Sequence, residues 1–334
     1  FDDRHCQDIG AYLLLSKVRN YLAPIFSGGN ISASIFKVID AVRMRSHLQM
    51  HAPHAGKSQE DVWAFPLVER RSADTSSSPT RYIEPQSIER VAGDLVDAID
   101  NWLSIVVDQE LSREGRRLVQ KIVGEVLDNA ERHGLASGDG DWSIAGFLAK
   151  RKDENGNVKF RCHLAFLNLG RPISETFATA SDEIKKHLEK YINTHSTLFR
   201  RNVHRDGLST IFALQDGVTC DPRAFAEGRG GTGLQEVIRF FNDLAGGEIA
   251  DHDAQLCIVS GNTCLHIRHP YNSGKATHSS RGAARREIWF NKENDPTVSP
   301  DPEFVVKLPY TLKGTLVTMA FDLEKKYLED SVDA

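Results

Sequence analysis

The feature that most constrains this chain is a change of hydrophobic period close to Gly138. Ahead of it, Ile88, Val91, Leu95, Ile99 and Leu103 recur at the period of an amphipathic helix over 87 to 107. Ser112 opens a second helix, with Glu114 and Gly115 in its first turn, that runs to about His133. Beyond Gly138 the pattern is that of strands. Residues 142 to 149 and 160 to 169 flank Asp153-Glu-Asn-Gly-Asn157, a turn sequence that pairs the two runs antiparallel. Helices and strands in this order predict an α/β sandwich of two layers, its sheet mixed but mostly antiparallel and covered by helices on one face.

The remaining segments are read the same way. Helical spacing over 8 to 22 and 32 to 48, broken at Gly28-Gly29-Asn30, is followed by a short strand at 62 to 67 and a Ser/Thr-rich linker from Ser72 to Thr80. A boundary near residue 84 separates a mostly helical accessory region, 1 to 84, from a larger domain over 85 to 325 and a tail at 326 to 334. Within the larger domain, helices are expected at 181 to 192, 208 to 214 and 234 to 244. Strands are expected at 256 to 260, 264 to 269, 288 to 291 and 315 to 322, and 270 to 286 reads as an excursion between strands.

Composition excludes several functions. Lysine plus arginine number 41 against 46 aspartate plus glutamate, so a net charge of -5 gives no global attraction to nucleic acid or anionic lipid. The longest apolar runs, at 11 to 15 and 102 to 107, fall far short of the roughly 20 residues a membrane span needs. Five scattered cysteines without a Cys-x-x-Cys pair point to a reducing, cytoplasmic setting with no disulfides and no structural zinc.

Chemistry concentrates in two stretches. In Gly124-Glu-Val-Leu-Asp-Asn-Ala-Glu-Arg-His-Gly134, Glu125, Asn129 and His133 are spaced by four and share one helix stripe. Leu118, Val119, Ile122, Val126 and Ala130 form the apolar stripe beside it. A carboxylate, an amide and an imidazole at such a border suit polarising water, ligating a hard cation and touching phosphate, although the spacing equally fits a solvated helix edge. The second stretch, Gly228-Arg-Gly-Gly-Thr-Gly-Leu234, leads into a helix whose first N–H groups favour an anion. It is not a P-loop, since no Gly-Lys-Ser/Thr follows, and alone it also fits a flexible loop. Arg171 and Arg229 are candidate phosphate partners, His47, His51 and His54 read as a solvated cluster, and Cys162-His163 alternates across a strand and cannot chelate one ion.

In this order the two stretches resemble the GHKL ATPase family, which includes DNA gyrase B, heat-shock chaperones, sensor histidine kinases and MutL. Glu125-x-x-x-Asn129-Ala130-x-x-His133 is similar to the family's N box, in the histidine variant of histidine kinases and anti-sigma-factor serine kinases. Gly228-x-Gly230-Gly231-x-Gly233-Leu234 is similar to its second glycine box. Phe166-Leu-Asn-Leu-Gly-Arg-Pro-Ile173 stands where the family has its first, usually Asp-x-Gly-x-Gly, and Lys313-Gly-Thr-Leu-Val317 resembles the Gly-Thr pair opening the last core strand. The likeness spans residues 86 to 323.

The resemblance implies a Bergerat fold that binds ATP with Mg2+ and hydrolyses it or transfers its phosphoryl group in a regulatory role. Glu125 would be the general base or water-orienting carboxylate, Asn129 the magnesium ligand through its side-chain oxygen, and His133 a neighbour of the phosphates. Gly228, Gly230, Gly231 and Gly233 would supply backbone donors, with Leu234, Gly170, Asn168 and Thr315 completing the nucleotide site. Residues 174 to 227 would form a lid. The chain departs from the pattern at Asn168, which replaces the adenine-reading aspartate, and at Pro172, which replaces a glycine; an amide can accept or donate, which implies weaker adenine selectivity. Three functions fit such a site: a serine kinase acting on a regulatory partner of the STAS class, an ATPase whose lid closure switches assembly, or a binding module without turnover. The accessory region would then serve partner binding or a homodimer.

Overall fold

A computed structural model of the chain describes residues 8–22, 30–50, 61–70, 87–134, 141–152, 155–195, 204–226, 233–244, 254–272, 274–278 and 284–323. Helices α1 (Ile9–Leu22) and α2 (Ala33–Ala41) precede strand β1 (Val62–Arg70), after which come α3 (Ile88–Val107) and α4 (Arg113–Gly134). The hairpin follows as β2 (Asp141–Lys152) and β3 (Val158–Leu169), then α5 (Ile173–Thr176), α6 (Asp182–His195), α7 (Arg205–Ala213), α8 (Pro222–Ala226) and α9 (Gly233–Leu244). The chain closes with β4 (Gln255–Ile267), β5 (Lys275–His278), β6 (Ala284–Glu287) and β7 (Val305–Asp322). Among the described residues, no helix is long and apolar enough to cross a membrane.

Local chemistry sets the helix ends. Ser87 caps α3 by accepting a hydrogen bond from the Arg90 N–H at 3.3 Å, and Asp108 ends it in the left-handed conformation with φ 57. The carboxylate of Asp100 then accepts from the Leu111 N–H at 2.7 Å and pairs with Arg116 at 2.6 Å, which fixes the corner between α3 and α4. Both helices lay their apolar stripes on the sheet.

The main sheet has the order β1-β2-β3-β7-β4, with every pairing antiparallel, so the parallel component of the expected mixed sheet is absent among the described residues. Side chains alternate across it. Ile144, Leu148, Leu164, Phe166, Val317 and Met319 join α3, α4 and α9 in the larger core. Ala145, Phe147, Ala165, Leu167 and Leu316 point the other way, into a second core with Ile9, Leu13, Ile35, Ile39 and Met44. The expectation of helices on one face therefore holds for the domain over 85 to 325, whereas α1 and α2 cover the other face. The region expected to be accessory also contributes β1, an edge strand of the same sheet, so the packing runs continuously across residue 84.

Glu69 on β1 ties this second layer down. Its carboxylate meets Lys17 of α1, His47 Nε2 at 3.2 Å and the Ser143 hydroxyl at 3.2 Å. Burial alone would raise this carboxyl, but the hydrogen bond from His47 and the charge of Lys17 outweigh it and hold the group well below the usual carboxylate range. A depressed folded value contributes stability above the ordinary value of 4.5, and that contribution is lost as pH falls toward the folded value. Glu69→Gln is expected to cost about 2–3 kcal/mol at pH 7. Denaturant melts of both proteins should show the gap closing below pH 4.5; a gap independent of pH would rule out the charge as its source.

Three segments differ from expectation. The strands expected at 256 to 260 and 264 to 269 form one element, β4, yet Cys257 Sγ lies 3.3 Å from His266 Nδ1. An extended strand would hold residues nine apart about 30 Å from each other, so β4 doubles back, at Gly261 with φ +60. The strand expected at 288 to 291 is irregular, because Gln215 supplies its backbone partners: the amide donates to Ile288 O at 2.9 Å and accepts from Ile288 N at 3.0 Å. The excursion at 270 to 286 contains β5 and most of β6, an antiparallel pair. Cys162 and His163 do face opposite sides: Cys162 lies in the larger core, while His163 stacks on Phe147 with ring centroids 4.6 Å apart. Burial and nearby arginines keep His163 neutral.

Candidate nucleotide site

Helix α4 buries Val119, Ile122, Val123, Leu127 and Ala130, which leaves Glu125 and Asn129 half-buried along the edge of that stripe. That edge forms one wall of a cavity of about 590 Å3 between α4, the end of β3, the start of α9 and the segment before α8. A volume in this range suits a nucleotide-sized ligand. Of the expected site residues, Glu125, Asn129, Asn168, Gly233, Leu234 and Thr315 line it, as does Arg171.

Gly233 carries the arrangement. A Cβ built there would make ordinary contact at 3.4 Å with both Asn129 Nδ2 and Glu125 Oε2, so the first turn of α9 lies beside the two polar side chains of α4. The unpaired N–H groups of a twelve-residue helix thus open beside a carboxylate and an amide. Gly228, Gly230 and Gly231 lie outside the described residues, as does the side chain of His133, whose backbone closes α4. Gly170 does not reach the cavity; its N–H donates to Lys313 O at 3.0 Å and joins the end of β3 to β7.

A polar relay crosses the cavity floor. The Thr315 N–H donates to Asn168 Oδ1 at 2.8 Å, and the Thr315 and Ser260 hydroxyls are 2.8 Å apart. Ser260 Oγ accepts from the Ile173 N–H at 2.8 Å and donates to Gly314 O at 3.2 Å. Gly314, with φ +140, passes so close to β3 that a Cβ would meet Asn168 O at 2.0 Å, which gives the Gly-Thr pair a physical cause.

The expected lid over 174 to 227 is mostly packed helix. Ile184, Leu188 and Tyr191 of α6 and Leu208, Ile211 and Phe212 of α7 belong to the larger core, and Tyr191 rests on Trp289 with centroids 4.9 Å apart. Thr176 and Ala213 touch the cavity, and most of the contribution comes from the later part, where Val218, Thr219, Cys220 and Asp221 join the lining together with Arg223. Arg132 spans the rim, paired with Asp128 on its own helix and with Asp221 at 3.4 Å. Burial pushes the Cys220 thiol up, against the opposing pull of the Thr176 hydroxyl at 3.2 Å and the charge of Arg171. Sequence spacing carried no signal for 218 to 221, which line the cavity through the turn before α8, or for Ser260, which is buried behind Thr315 by the pairing of β4 with β7.

The other carboxylates nearby have partners: Asp221 in the lining pairs with Arg132. Glu131 accepts from Trp142 Nε1 at 2.9 Å and pairs with Arg70. Glu125 has no hydrogen bond or ion pair with the described residues. No group of three His, Cys, Asp or Glu side chains among the described residues could hold a metal ion. The side-chain oxygen of Asn129, in the cavity lining, fits magnesium, which takes one or two protein oxygens and completes its shell from phosphates and water.

No family model, curated protein or solved structure matches this chain.

Proposed function

We propose that the chain is a magnesium-dependent nucleoside triphosphate-binding protein of the GHKL type, with ATP as the nucleotide that the resemblance implies and slow hydrolysis or phosphotransfer in a regulatory role. The observation that carries this reading is that Gly233 at the start of α9 lies beside Glu125 and Asn129 at one wall of a nucleotide-sized cavity. Phosphate oxygens at the start of α9 would accept from its unpaired N–H groups and lie beside Asn129 Oδ1 and Glu125. Magnesium, when bound, supplies charge neutralisation at the phosphates. Glu125 is the one helix carboxylate in the lining, and it takes the proton of the attacking water or protein hydroxyl. Arg171 lies in the same lining and adds a positive charge near the base of the cavity.

Release of phosphate from γ-labelled ATP, with GTP in parallel, tests the reading directly. Magnesium-dependent release is expected in the full chain. Asn129→Ala is expected to weaken nucleotide binding about tenfold or more, the cost of one lost charge-assisted contact. Binding without release would identify a module that waits for a partner hydroxyl. Absence of both in the wild type would overturn the proposal.

A further inference from the structure

Proton bookkeeping on the cavity floor yields a base specificity, an inference that rests on the nucleotide reading above. A backbone N–H can only donate, so the 2.8 Å contact from Thr315 N to Asn168 Oδ1 fixes the amide: its oxygen turns toward β7 and its NH2 turns away. Flipping the amide would set NH2 against N–H. The Asn168 side chain makes no other hydrogen bond with the described residues. Ser260 has a single hydroxyl proton, which it donates to Gly314 O at 3.2 Å while accepting from the Ile173 N–H at 2.8 Å. Making all three contacts at once requires Ser260 to accept in its 2.8 Å contact with Thr315, with the Thr315 hydroxyl donating. Thr315 Oγ1 is left with lone pairs.

Asn168 and Thr315 are register partners on β3 and β7, and both line the cavity. These register partners thus offer a donor oriented by the Thr315 N–H and an acceptor oriented through the Ser260 hydroxyl. The Watson–Crick edge of a 6-oxopurine has the matching order, an O6 acceptor beside an N1–H donor. Adenine has the reverse, an N6 donor beside an N1 acceptor. The geometry points to a 6-oxopurine nucleotide, the class of GTP and ITP, as the preferred ligand, with Asn168 and Thr315 as the specificity-determining pair. An aspartate at 168 would still accept the Thr315 N–H on one oxygen but would turn an acceptor to the base, which suits adenine. The amide inverts that polarity.

Calorimetric titration of the full chain with ATP, GTP and ITP at one magnesium concentration tests this. ITP lacks the 2-amino group, so it isolates the O6 and N1 contacts. GTP and ITP are expected to bind about tenfold or more tightly than ATP, the effect of one mismatched hydrogen bond in a desolvated site. Asn168→Asp should move the ATP to ITP ratio toward ATP by a similar factor, and Thr315→Val should weaken ITP more than ATP. Tighter binding of ATP by the wild type, or an unchanged ratio in a folded Asn168→Asp protein, would overturn the specificity and leave the nucleotide reading standing. No binding of any of the three would overturn both. Should Asn168→Asp fail to fold, the wild-type order of affinities alone decides.

Discussion

Glu125→Ala is expected to lower magnesium-dependent phosphate release by about 10²–10⁴-fold, the usual weight of a positioned general base, with little change in nucleotide affinity. The reason lies in how the carboxylates of α4 are used. Glu131 is held by Trp142 and Arg70, and Asp128 by Arg132, so neither is available to a reacting water. Glu125 is uncommitted among the described residues and stands against Gly233 at the mouth of α9. Glu125→Gln keeps the shape and hydrogen-bonding reach but loses the basicity, so it should fall nearly as far. Glu131→Ala is the contrasting control: it should lower thermal stability by removing the acceptor of Trp142 Nε1 and an ion-pair partner of Arg70, with a much smaller effect on the rate per folded molecule. Single-turnover rates and binding constants measured on the same preparations separate these effects. A Glu125→Ala protein that releases phosphate at the wild-type rate would place the base elsewhere.

Removal of residues 1 to 84 should leave a chain that does not fold as a stable monomer. The deletion takes away α1, α2 and edge strand β1 together. Phe147, Leu167 and Leu316 lose their cover, and Ile9, Leu13, Ile35, Ile39, Met44 and Leu48 vanish from the second core. At about 1.5–3 kcal/mol for each large apolar side chain, the loss rivals or exceeds the 5–15 kcal/mol by which a typical domain is stable. It also bares the backbone edge of β2, a template for aggregation. Soluble yield, size-exclusion profile and a thermal melt by circular dichroism would show it. A truncated protein that melts cooperatively at the full-length temperature would mean that the second core contributes little. The same substitution of a bare face for a covered one means that partner binding by this region is better probed with point changes at exposed positions of α1, such as Val18, than by deletion.

The helices α3, α4 and α9 and the hairpin of β2 with β3 were legible because each depends on a local period or turn. Their observed bounds fall within a few residues of those read from the sequence. Cover on both faces of the sheet also left a trace that alternation alone did not disclose. Residues 142 to 149 carry no charged side chain, and every one of them is buried. Such a run belongs to a strand packed on two sides, whereas a strand with one wet face shows alternating polar residues. Segment 288 to 291 misled for a related reason. Ile288, Trp289 and Phe290 are buried like strand residues, but a glutamine side chain from the turn after α7 satisfies the backbone that a neighbouring strand would otherwise pair.

Sequence alone determined the α/β class, the helix that carries Glu125 and Asn129, and the glycine at the start of α9, since all of these follow from local spacing. Tertiary structure decided what faces what. Only the pairing of β3 with β7 brings Thr315 N–H to Asn168, and only the pairing of β4 with β7 sets Ser260 beside Thr315. The direction of a hydrogen bond depends on which donors and acceptors meet in space, and partners 147 residues apart in the chain have no local period to announce them.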